Sequence, residues 1–450
     1  MIRRTLLPLL TASALVLAAC SSGSAEDASS SSATVSPTPT GAASSPAASP
    51  SPSPTASATT APTGPGVGEV VPSSITGLHV AGVQDGAWPD DNVPFGALRL
   101  WDAGTNWSQV EAVKGVYNWK ALDTALKVAD SNGITDVLLV LGSTPTWNAS
   151  RTRPGDYPVP GAASPPKSMA AWDAFVTAVV SRYAGRISAY QIWNEASLAM
   201  FWNGTPEKLA DMTKRAYDII KKEDPKALVV AASTTVRLPA AFDRFFPRYL
   251  AALAALDWPI DVYAAHLYPA SKETPDERAA FITSVTAKLA AAGAPALPVW
   301  DTELNYGLAG PGPTNPRQTI QGAEARDWVV QTSFDSLHLG IVRTYWYIWT
   351  PAPYPLLGMQ LTNDSGAVKG LRIVEQWAVG STWRGCTDDG SVTSCALEKN
   401  GVPATVAWAN AVTGSFTPPA GLSQACSTKN ECVPVSGPVE LTETPVRFIP

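Results

Sequence analysis

Short apolar runs alternate with amphipathic segments along the chain after Ile75. Such an alternation predicts repeated units of one β-strand and one α-helix, which build a parallel sheet covered by helices. The segments between the runs, such as 171–183 and 206–222, place apolar residues at helical spacing. Eight apolar runs can be counted, at residues 77–81, 97–100, 136–141, 189–193, 228–232, 262–266, 298–302 and 342–348.

The number of these units favours one architecture. Together they occupy roughly 270 residues, close to the ~250 that are typical of a (β/α)8 barrel. An open, doubly wound sheet is the alternative, but it would normally carry a glycine-rich phosphate loop after its first strand, and none follows residue 81. The sequence therefore predicts an α/β protein in which residues 75–375 form a (β/α)8 TIM barrel.

The last part of the chain, residues 376–450, has the character of an all-β domain. Turn signals recur at Asp389-Gly390 and Asn400-Gly401, and short apolar runs lie between the turns. We expect a small C-terminal β-sandwich-like domain that packs on the barrel as a structural support. A separate sugar-binding module is the alternative.

The five cysteines divide into two groups. Cys20 stands alone near the N-terminus, whereas Cys386, Cys395, Cys426 and Cys432 all lie in the β-rich stretch. Four cysteines so close together predict two disulfides and hence an oxidising compartment. Pairing Cys386 with Cys395 and Cys426 with Cys432 is the local expectation, although four cysteines allow three connectivities.

Residues 1–20 have the features of an export signal. They begin with two arginines among the first four residues and continue with an apolar stretch too short to span a bilayer. Leu17-Ala18-Ala19-Cys20 resembles the lipobox of bacterial lipoproteins, which implies acylation of Cys20 and an extracytoplasmic protein anchored to the cell membrane. Ordinary cleavage near Ala19 is the alternative. Residues 21–74, rich in Ser, Thr, Pro and Ala, are predicted to be a disordered tether.

Composition limits the class of partner. The net charge is −6 and only 16% of residues are charged, so no basic surface is predicted to bind nucleic acid. The chain has 16 tryptophans, and flat apolar rings with a polar edge suit stacking on sugars, although most of them are expected to be core residues. The three histidines show no metal-binding spacing, so we expect no metal or cofactor, and the lack of a GxSxG motif argues against a serine hydrolase of the lipase type. We expect the protein to be a monomer.

Two glutamates stand where predicted strands end. Glu195 follows the fourth strand and Glu303 follows the seventh, and barrel enzymes place their catalytic groups at these carboxyl ends. The two residues are 108 positions apart (303 minus 195), which is about three and a half units at roughly 31 residues each, so they face each other across the barrel mouth. Cleavage of a glycosidic bond needs such a pair of carboxyl groups. A helix cap or a surface ion pair is the alternative for either glutamate alone.

The residues around both glutamates carry a family resemblance. Trp-Asn-Glu at 193–195 and Trp-Asp-Thr-Glu at 300–303 resemble the glycoside hydrolases of clan A, and among them family 39. Members of that clan have catalytic glutamates on strands four and seven of a (β/α)8 barrel. The resemblance covers the whole barrel, through related segments at 98–101, 115–119, 144–147 and 266–269.

This resemblance implies a role for each residue of the site. Glu195 would be the general acid/base and Glu303 the nucleophile. Asn194 would bind the 2-hydroxyl of the sugar at the scissile bond. Arg99 and Tyr268 would keep Glu303 ionised and oriented, because a nearby cation and a hydrogen bond both favour the carboxylate. His266 would support Glu195 or a sugar hydroxyl, with a core histidine as the alternative.

Three tryptophans are candidate platforms for sugar rings. Trp346 on the last strand resembles the tryptophan that the clan places beneath the sugar, and we prefer it to Trp349. Trp147 and Trp202 lie on the loops after strands three and four, where they would form walls of the cleft or anchor the loops.

The combined prediction is a retaining glycoside hydrolase. It would cleave β-type bonds in an oligo- or polysaccharide by double displacement, with carboxyl groups about 5–5.5 Å apart. One alternative is an inactive surface lipoprotein that only binds carbohydrate. Another is a transglycosylase that uses the same residues to transfer the sugar to a second carbohydrate.

Overall fold

The computed structural model describes residues 65–310 and 315–450. The signal sequence 1–20, the acylation site Cys20 and most of the expected tether lie outside these residues. The barrel strands are β1 (Thr76–Val80), β2 (Ala97–Leu100), β3 (Asp136–Leu141), β4 (Ala189–Ile192), β5 (Leu228–Val230), β6 (Tyr263–His266), β7 (Val299–Leu304) and β8 (Ile341–Trp349). The helices are α1 (Trp107–Val110), α2 (Lys120–Ser131), α3 (Met169–Tyr183), α4 (Pro206–Glu223), α5 (Pro239–Ala254), α6 (Pro275–Ala291), α7 (Gly322–His338) and α8 (Gly366–Trp377).

The eight parallel strands form the predicted barrel. Their order is β5-β4-β3-β2-β1-β8-β7-β6, so each strand lies beside its sequence neighbours and β1 pairs with β8. A parallel bridge between Val230 and Val262 joins β5 to the residue before β6 and closes the ring. Each strand lies within two residues of the apolar run that predicted it. The (β/α)8 barrel is therefore confirmed.

The interior of the barrel changes from apolar to polar along the strands. Its floor is an apolar cluster in which Trp300 and Tyr345 supply the bulk and small residues such as Ala97 and Ala189 leave room for them. Above this floor Arg99 is fully buried and donates to Gln191. Because buried polar groups need partners, this polar layer fixes the side chains that stand beside it at the carboxyl ends.

The helices cover the barrel through one apolar face each. In α4 the Thr205 side chain accepts a hydrogen bond from the backbone of Lys208, and Pro206 occupies the first turn, so the start of the helix is capped. Its inward face buries Leu209 and Ile220. Within the two described ranges, no helix combines the length and the apolar character needed to cross a membrane.

The C-terminal residues form two antiparallel sheets, as expected for a β-sandwich-like domain. The larger sheet has the order β14-β13-β16-β11-β10-β9, and β12 pairs with β15. Disulfides join Cys386 to Cys395 and Cys426 to Cys432, each between paired strands, which is the local pairing. The strands are β9 (Thr382–Asp388), β10 (Val392–Lys399), β11 (Val402–Ala409), β12 (Gly414–Phe416), β13 (Gln424–Cys426), β14 (Cys432–Pro434), β15 (Val439–Leu441) and β16 (Val446–Ile449).

The folded part begins before residue 74, where the tether was expected to end. The amide of Gly68 donates to the carbonyl of Trp383, and the amide of Val71 donates to the carbonyl of Ser381. The Val71 side chain is fully buried. The expected boundary at residue 74 is therefore too late. The low apolar content of this segment indicated a tether, but its backbone pairs with the edge of β9, which composition does not reveal.

Gly77 in β1 provides a test of the packing in the barrel floor. A methyl group at this position would overlap the buried ring of Tyr345, which has no space to move into. We expect Gly77→Ala to lower the free energy of unfolding by about 1–3 kcal/mol, the usual cost of overpacking a core. Urea unfolding measures the change. Gly155→Ala is the control, because a methyl group there meets no atom within 4 Å, and equal stability of the two variants would contradict this account.

Candidate active site

The two predicted glutamates lie together at the carboxyl ends of the strands. Glu303 is part of β7, and Glu195 lies three residues beyond the end of β4. One carboxylate oxygen of each glutamate and one ring nitrogen of His266 all lie within 4.8 Å of one another. The side chain of Glu195 is 13% exposed and that of Glu303 is 8% exposed, so both reach the surface at the mouth of the barrel.

Glu303 is held from two sides by hydrogen-bond donors. Arg99 donates from Nη1 to Oε1 at 2.6 Å, and the hydroxyl of Tyr268 donates to Oε2 at 3.1 Å. Burial raises the pKa of Glu303, and the positive charge of Arg99 opposes that rise. Arg99 and Tyr268 thus both contact Glu303, and these contacts favour its ionised form.

Among residues 65–310 and 315–450, no lysine or arginine makes a direct contact with Glu195. Its Oε1 accepts a hydrogen bond of 2.7 Å from the hydroxyl of Thr235, and its backbone amide donates to Oγ of Ser233. Burial raises the pKa of Glu195, whereas the Thr235 hydrogen bond and the more distant charges of Arg237 and Arg99 lower it. Of the two glutamates, Glu195 is thus the one whose surroundings do less to hold it ionised.

The backbone around Glu195 is strained. Trp193 has φ 79° and Glu195 has φ 42°, values in the left-handed region that bulky residues rarely adopt. The indole of Trp193 donates to the carbonyl of Phe201 at 2.6 Å, and this contact helps to hold the turn. Strain of this kind persists only where the surrounding structure imposes it, and it concentrates at functional sites.

His266 lies between the two carboxyl groups. Its Nδ1 is 3.1 Å from Oε1 of Glu195 and 3.4 Å from Oε2 of Glu303. Burial lowers the pKa of His266 to about 3, so the ring is neutral near pH 7. The Nε2 atom is buried without a hydrogen-bond partner among the described residues. A neutral ring with its proton on Nδ1 donates toward the carboxylates, which accounts for this arrangement.

Arg99 organises the polar layer beneath the glutamates. Besides Glu303 it donates to the side-chain oxygens of Gln191 at 2.9 Å and Asn194 at 2.8 Å, and its Nη1 is 3.2 Å from Nε2 of His79. The contact with Asn194 uses the amide oxygen. The amide nitrogen of Asn194 is thereby oriented away from Arg99 as a donor, as a contact with a sugar hydroxyl would require.

Sequence reasoning missed a third carboxylate at the mouth of the barrel. Asp102 lies two residues beyond β2, where Oδ1 accepts from the hydroxyl of Tyr157 and Oδ2 from that of Tyr347, both at 2.7 Å. The signal was present, because Asp102 is an ionisable residue at the end of a strand. Thr235, which binds Glu195, likewise follows a strand end, but a threonine gives no comparable signal.

Each of the three candidate tryptophans packs in the hydrophobic core or donates its indole N–H to a backbone carbonyl. Trp346 is only 1% exposed and packs on Tyr306 in the main hydrophobic core. Trp202 is 3% exposed and its indole donates to the carbonyl of Thr205, and the indole of Trp147 donates to the carbonyl of Glu111. Trp346 and Trp202 are thus buried in the core, whereas Trp147 is partly exposed, and its role as a wall of the cleft stays a prediction. On β8 the aromatic residue that faces the site is Tyr347 and not Trp346.

The two glutamates and His266 together form a set of one imidazole and two carboxylates, which is a donor set of the kind that binds metal ions. One of those carboxylates is already bonded to a guanidinium, since Arg99 contacts Glu303 at 2.6 Å. A fixed cation at this distance reduces the negative charge that would attract a metal ion. The arrangement therefore suits proton transfer and nucleophilic attack better than metal binding.

Comparison with known proteins gives a match of structure and not of sequence. No family model matches the chain, and no curated protein matches its sequence. A family 39 glycoside hydrolase from the gut symbiont Bacteroides cellulosilyticus WH2 has a similar structure, with a TM-score of 0.62 and 16% identity over 84% of this chain and 81% of that one.

Two further solved structures are similar. A family 39 β-xylosidase from Caulobacter crescentus gives a TM-score of 0.58 at 16% identity, over 84% of this chain and 96% of its own. A family 30 endoxylanase from Clostridium papyrosolvens C71 gives a TM-score of 0.53 at 15% identity, over 86% of this chain and 98% of its own. At these identities the likeness shows a shared fold: a (β/α)8 barrel with a β-domain, of the kind found in family 39 glycoside hydrolases. The fold implied by the sequence motifs is therefore confirmed.

The depressed pKa of His266 predicts a pH dependence of stability. Between its value of about 3 in the native state and ~6.5 in the unfolded chain, only the unfolded chain binds the proton, so stability is lost as the pH falls through this window. When the pH falls from 7 to 5, we expect the free energy of unfolding of the wild type to decrease by up to about 2 kcal/mol more than that of His266→Gln. Urea unfolding at both pH values measures the difference. His338→Gln, at the end of α7, should behave like the wild type, and an equal loss in His266→Gln would refute the assignment.

Proposed function

We propose that this protein is a retaining glycoside hydrolase that cleaves β-type bonds of an oligo- or polysaccharide by double displacement. The observation that carries the proposal is the pair Glu195 and Glu303, whose nearest carboxylate oxygens lie within 4.8 Å of each other at the open end of the barrel. Retaining enzymes have carboxyl groups about 5–5.5 Å apart, whereas inverting enzymes need roughly 6.5–9.5 Å to admit a water molecule. The short separation favours retention.

The contacts of the two glutamates divide their roles. Glu303 is bonded to Arg99 and Tyr268, which favour its carboxylate, and this makes it the nucleophile. Burial raises the pKa of both glutamates, but among the described residues only Glu303 has a direct ion pair with an arginine, so we assign Glu195 as the proton donor. The neutral ring of His266 spans both carboxyl groups and positions them for the two steps.

The reaction then follows two balanced steps. An oxygen of Glu303 attacks the anomeric carbon, the glycosidic C–O bond breaks, and the proton of Glu195 passes to the leaving oxygen. Glu303 is neutralised as an ester, so the negative charge that held the proton on Glu195 disappears. Glu195 now takes a proton from water, the water oxygen attacks the same carbon, and the ester of Glu303 is released as a carboxylate.

The substrate class rests on the low charge of the chain and on the similar structures. The similar structures include a β-xylosidase and an endoxylanase. The net charge of −6 spread over 450 residues offers no general attraction for polyanions. We therefore propose a neutral β-linked pentose or hexose substrate.

We also propose that the protein is exported and anchored in the cell membrane through acylated Cys20. The proposal rests on the resemblance of Leu17-Ala18-Ala19-Cys20 to a lipobox and on two disulfides in the C-terminal domain, which form in oxidising compartments. An anchored barrel would act on carbohydrate outside the cytoplasm.

The roles of the glutamates can be separated with aryl glycosides of different leaving groups. On 4-nitrophenyl and 2,4-dinitrophenyl β-xyloside and β-glucoside, we expect Glu303→Ala to abolish turnover of every substrate. Glu195→Gln should slow the 4-nitrophenyl substrates by about 10²–10⁴-fold, the usual worth of general acid catalysis. With the dinitrophenyl substrates Glu195→Gln should retain the initial burst of phenol release, because that leaving group needs no proton. The control is Glu207→Gln on the surface of α4, and equal effects of both active-site variants on both leaving groups would contradict the assignment.

Product analysis of the same reactions distinguishes the alternatives. Retention of the β-anomer, followed by proton NMR, supports double displacement, whereas initial release of the α-anomer would exclude it. Transfer products formed with added xylo- or gluco-oligosaccharides in preference to hydrolysis would identify a transglycosylase. Binding of xylan or β-glucan without any turnover would identify a carbohydrate-binding protein.

The anchor is tested by fractionation of a bacterial host that expresses the full chain. We expect wild-type protein in the membrane fraction, where an alkaline wash leaves it, because an acyl chain buries apolar surface in the bilayer. Cys20→Ala should move the protein to the soluble fraction, and Ser21→Ala should not. Membrane retention of the Cys20→Ala variant would refute the lipid anchor.

A further inference from the structure

Asp102 is a carboxylate at the mouth of the barrel that the proposed mechanism does not use. Its side chain accepts one hydroxyl on each oxygen, from Tyr157 at Oδ1 and from Tyr347 at Oδ2. The residue is half-buried and thus keeps contact with the surface of the site. Each carboxylate oxygen has a second lone pair, so Asp102 can accept further hydrogen bonds.

The position of Asp102 in the ring of strands gives it access to a substrate. Beside the glutamates, the β5 and β6 side of the barrel mouth is filled by Thr235 and His266, both bonded to Glu195. Asp102 belongs to the other side, where it follows β2 and receives Tyr347 from β8. Asp102 and the two tyrosines thus line the β2 and β8 side of the barrel mouth, where they are placed to contact a sugar bound at the glutamates.

The charged and titratable groups around Asp102 form one electrostatic unit with the glutamates. Burial raises the pKa of Asp102, whereas the hydrogen bonds of Tyr347 and Tyr157 and the charge of Arg99 lower it and Glu195 raises it. Glu303 in turn is among the groups that feel the charge of Asp102. Tyr354 also lies within the field of Asp102. Three carboxyl groups thus share Arg99 as the cation that is common to all of them.

We propose that Asp102, held between the hydroxyls of Tyr157 and Tyr347, is a specificity-determining residue that accepts hydroxyl hydrogens of the bound sugar and excludes acidic sugars. This inference rests on the proposed glycosidase function and names the residue that selects its substrate class. A carboxylate accepts hydrogen bonds and donates none, so it recognises free hydroxyls. A uronic acid in the same position would bring a further negative charge next to Glu195, Glu303 and Asp102, which desolvation makes costly.

Tyr157 gives a second reason for this assignment. It lies on the long loop between β3 and α3, and its ring packs against Trp101 and Phe201, with centroids 6.5 and 5.8 Å away. The backbone amide of Tyr157 also donates to the carbonyl of Met200. The loop is therefore held at several points besides Asp102. The hydrogen bond between Asp102 and Tyr157 is therefore not the sole contact that holds this loop in place, which leaves recognition of the substrate as a role for Asp102.

The test compares hydrolysis of dinitrophenyl β-xyloside, β-glucoside and β-glucuronide by the full chain and its variants. We expect Asp102→Asn to lower kcat/KM for the neutral xyloside and glucoside by about 10- to 100-fold, the effect of losing a charged hydrogen bond. The same variant should raise the rate on the glucuronide relative to the neutral sugar by at least about 10-fold, since a repelling charge is removed. Asp102→Glu keeps the charge and should keep this discrimination. The control is Asp91→Asn, at an exposed aspartate of the loop between β1 and β2.

Tyr157→Phe separates recognition from loop anchoring. It removes one hydrogen bond of Asp102 but leaves the carboxylate. The ratio of kcat/KM for the neutral glycosides to kcat/KM for the glucuronide should therefore stay as in the wild type. The inference is overturned if Asp102→Asn leaves this ratio unchanged, or if Tyr157→Phe reproduces the change seen in Asp102→Asn. A wild type that turns over the neutral glycosides while the ratio fails to move would refute only the role of Asp102. A wild type without turnover would refute the proposed function, and this inference with it.

Discussion

The ion pair between Arg99 and Glu303 is the interaction on which the rest of the site depends. Both side chains are almost completely enclosed, and their nearest atoms are 2.6 Å apart. Loss of one partner of a buried pair leaves the other charge unpaired and costs about 3–5 kcal/mol. The same guanidinium also fixes Gln191 and Asn194. One side chain from β2 thus sets the charge of Glu303 and the direction of the amide beside Glu195.

The parts of the fold that follow from periodicity could be predicted, and so could the residues whose chemistry stands out at strand ends. The eight apolar runs located β1 to β8, and the same runs brought Glu195, Glu303, His266 and Tyr268 to one face. Periodicity could not predict which side of the sheet a side chain faces once the register between two strands shifts. Between β1 and β8 the register shifts, so that Leu78 and Val80 pair with Trp346 and Trp349. The pairing is regular up to Trp346, so Tyr345 in the barrel floor, Trp346 in the outer core and Tyr347 at the site follow simple alternation, and the extra residue on β8 lies between Trp346 and Trp349.

Residues that act through long-range contacts were equally hard to foresee. Thr235 binds Glu195 across 40 positions of sequence, and Tyr157 reaches Asp102 across 55. Neither has a local pattern that marks it, because each contact depends on the path of a loop. Irregularity of β7 has a similar effect: its register against β6 shifts between the pairs of Ala265 and His266, so that His266 stands directly beside Glu303. Strand irregularities of this kind are common next to active sites, where they redirect side chains.

The segment that precedes the barrel has a mechanical consequence. Its residues 68–71 are bonded to 381–383 at the edge of β9, and Val71 is buried there. Any pulling force that enters the folded part from the N-terminal side reaches these backbone bonds before it reaches β1. The disulfide between Cys386 and Cys395 lies in the same sheet and ties β9 to β10 covalently. The bonds that would carry such a force first therefore lie in a cross-linked sheet of the C-terminal domain and not in the strands that carry the glutamates.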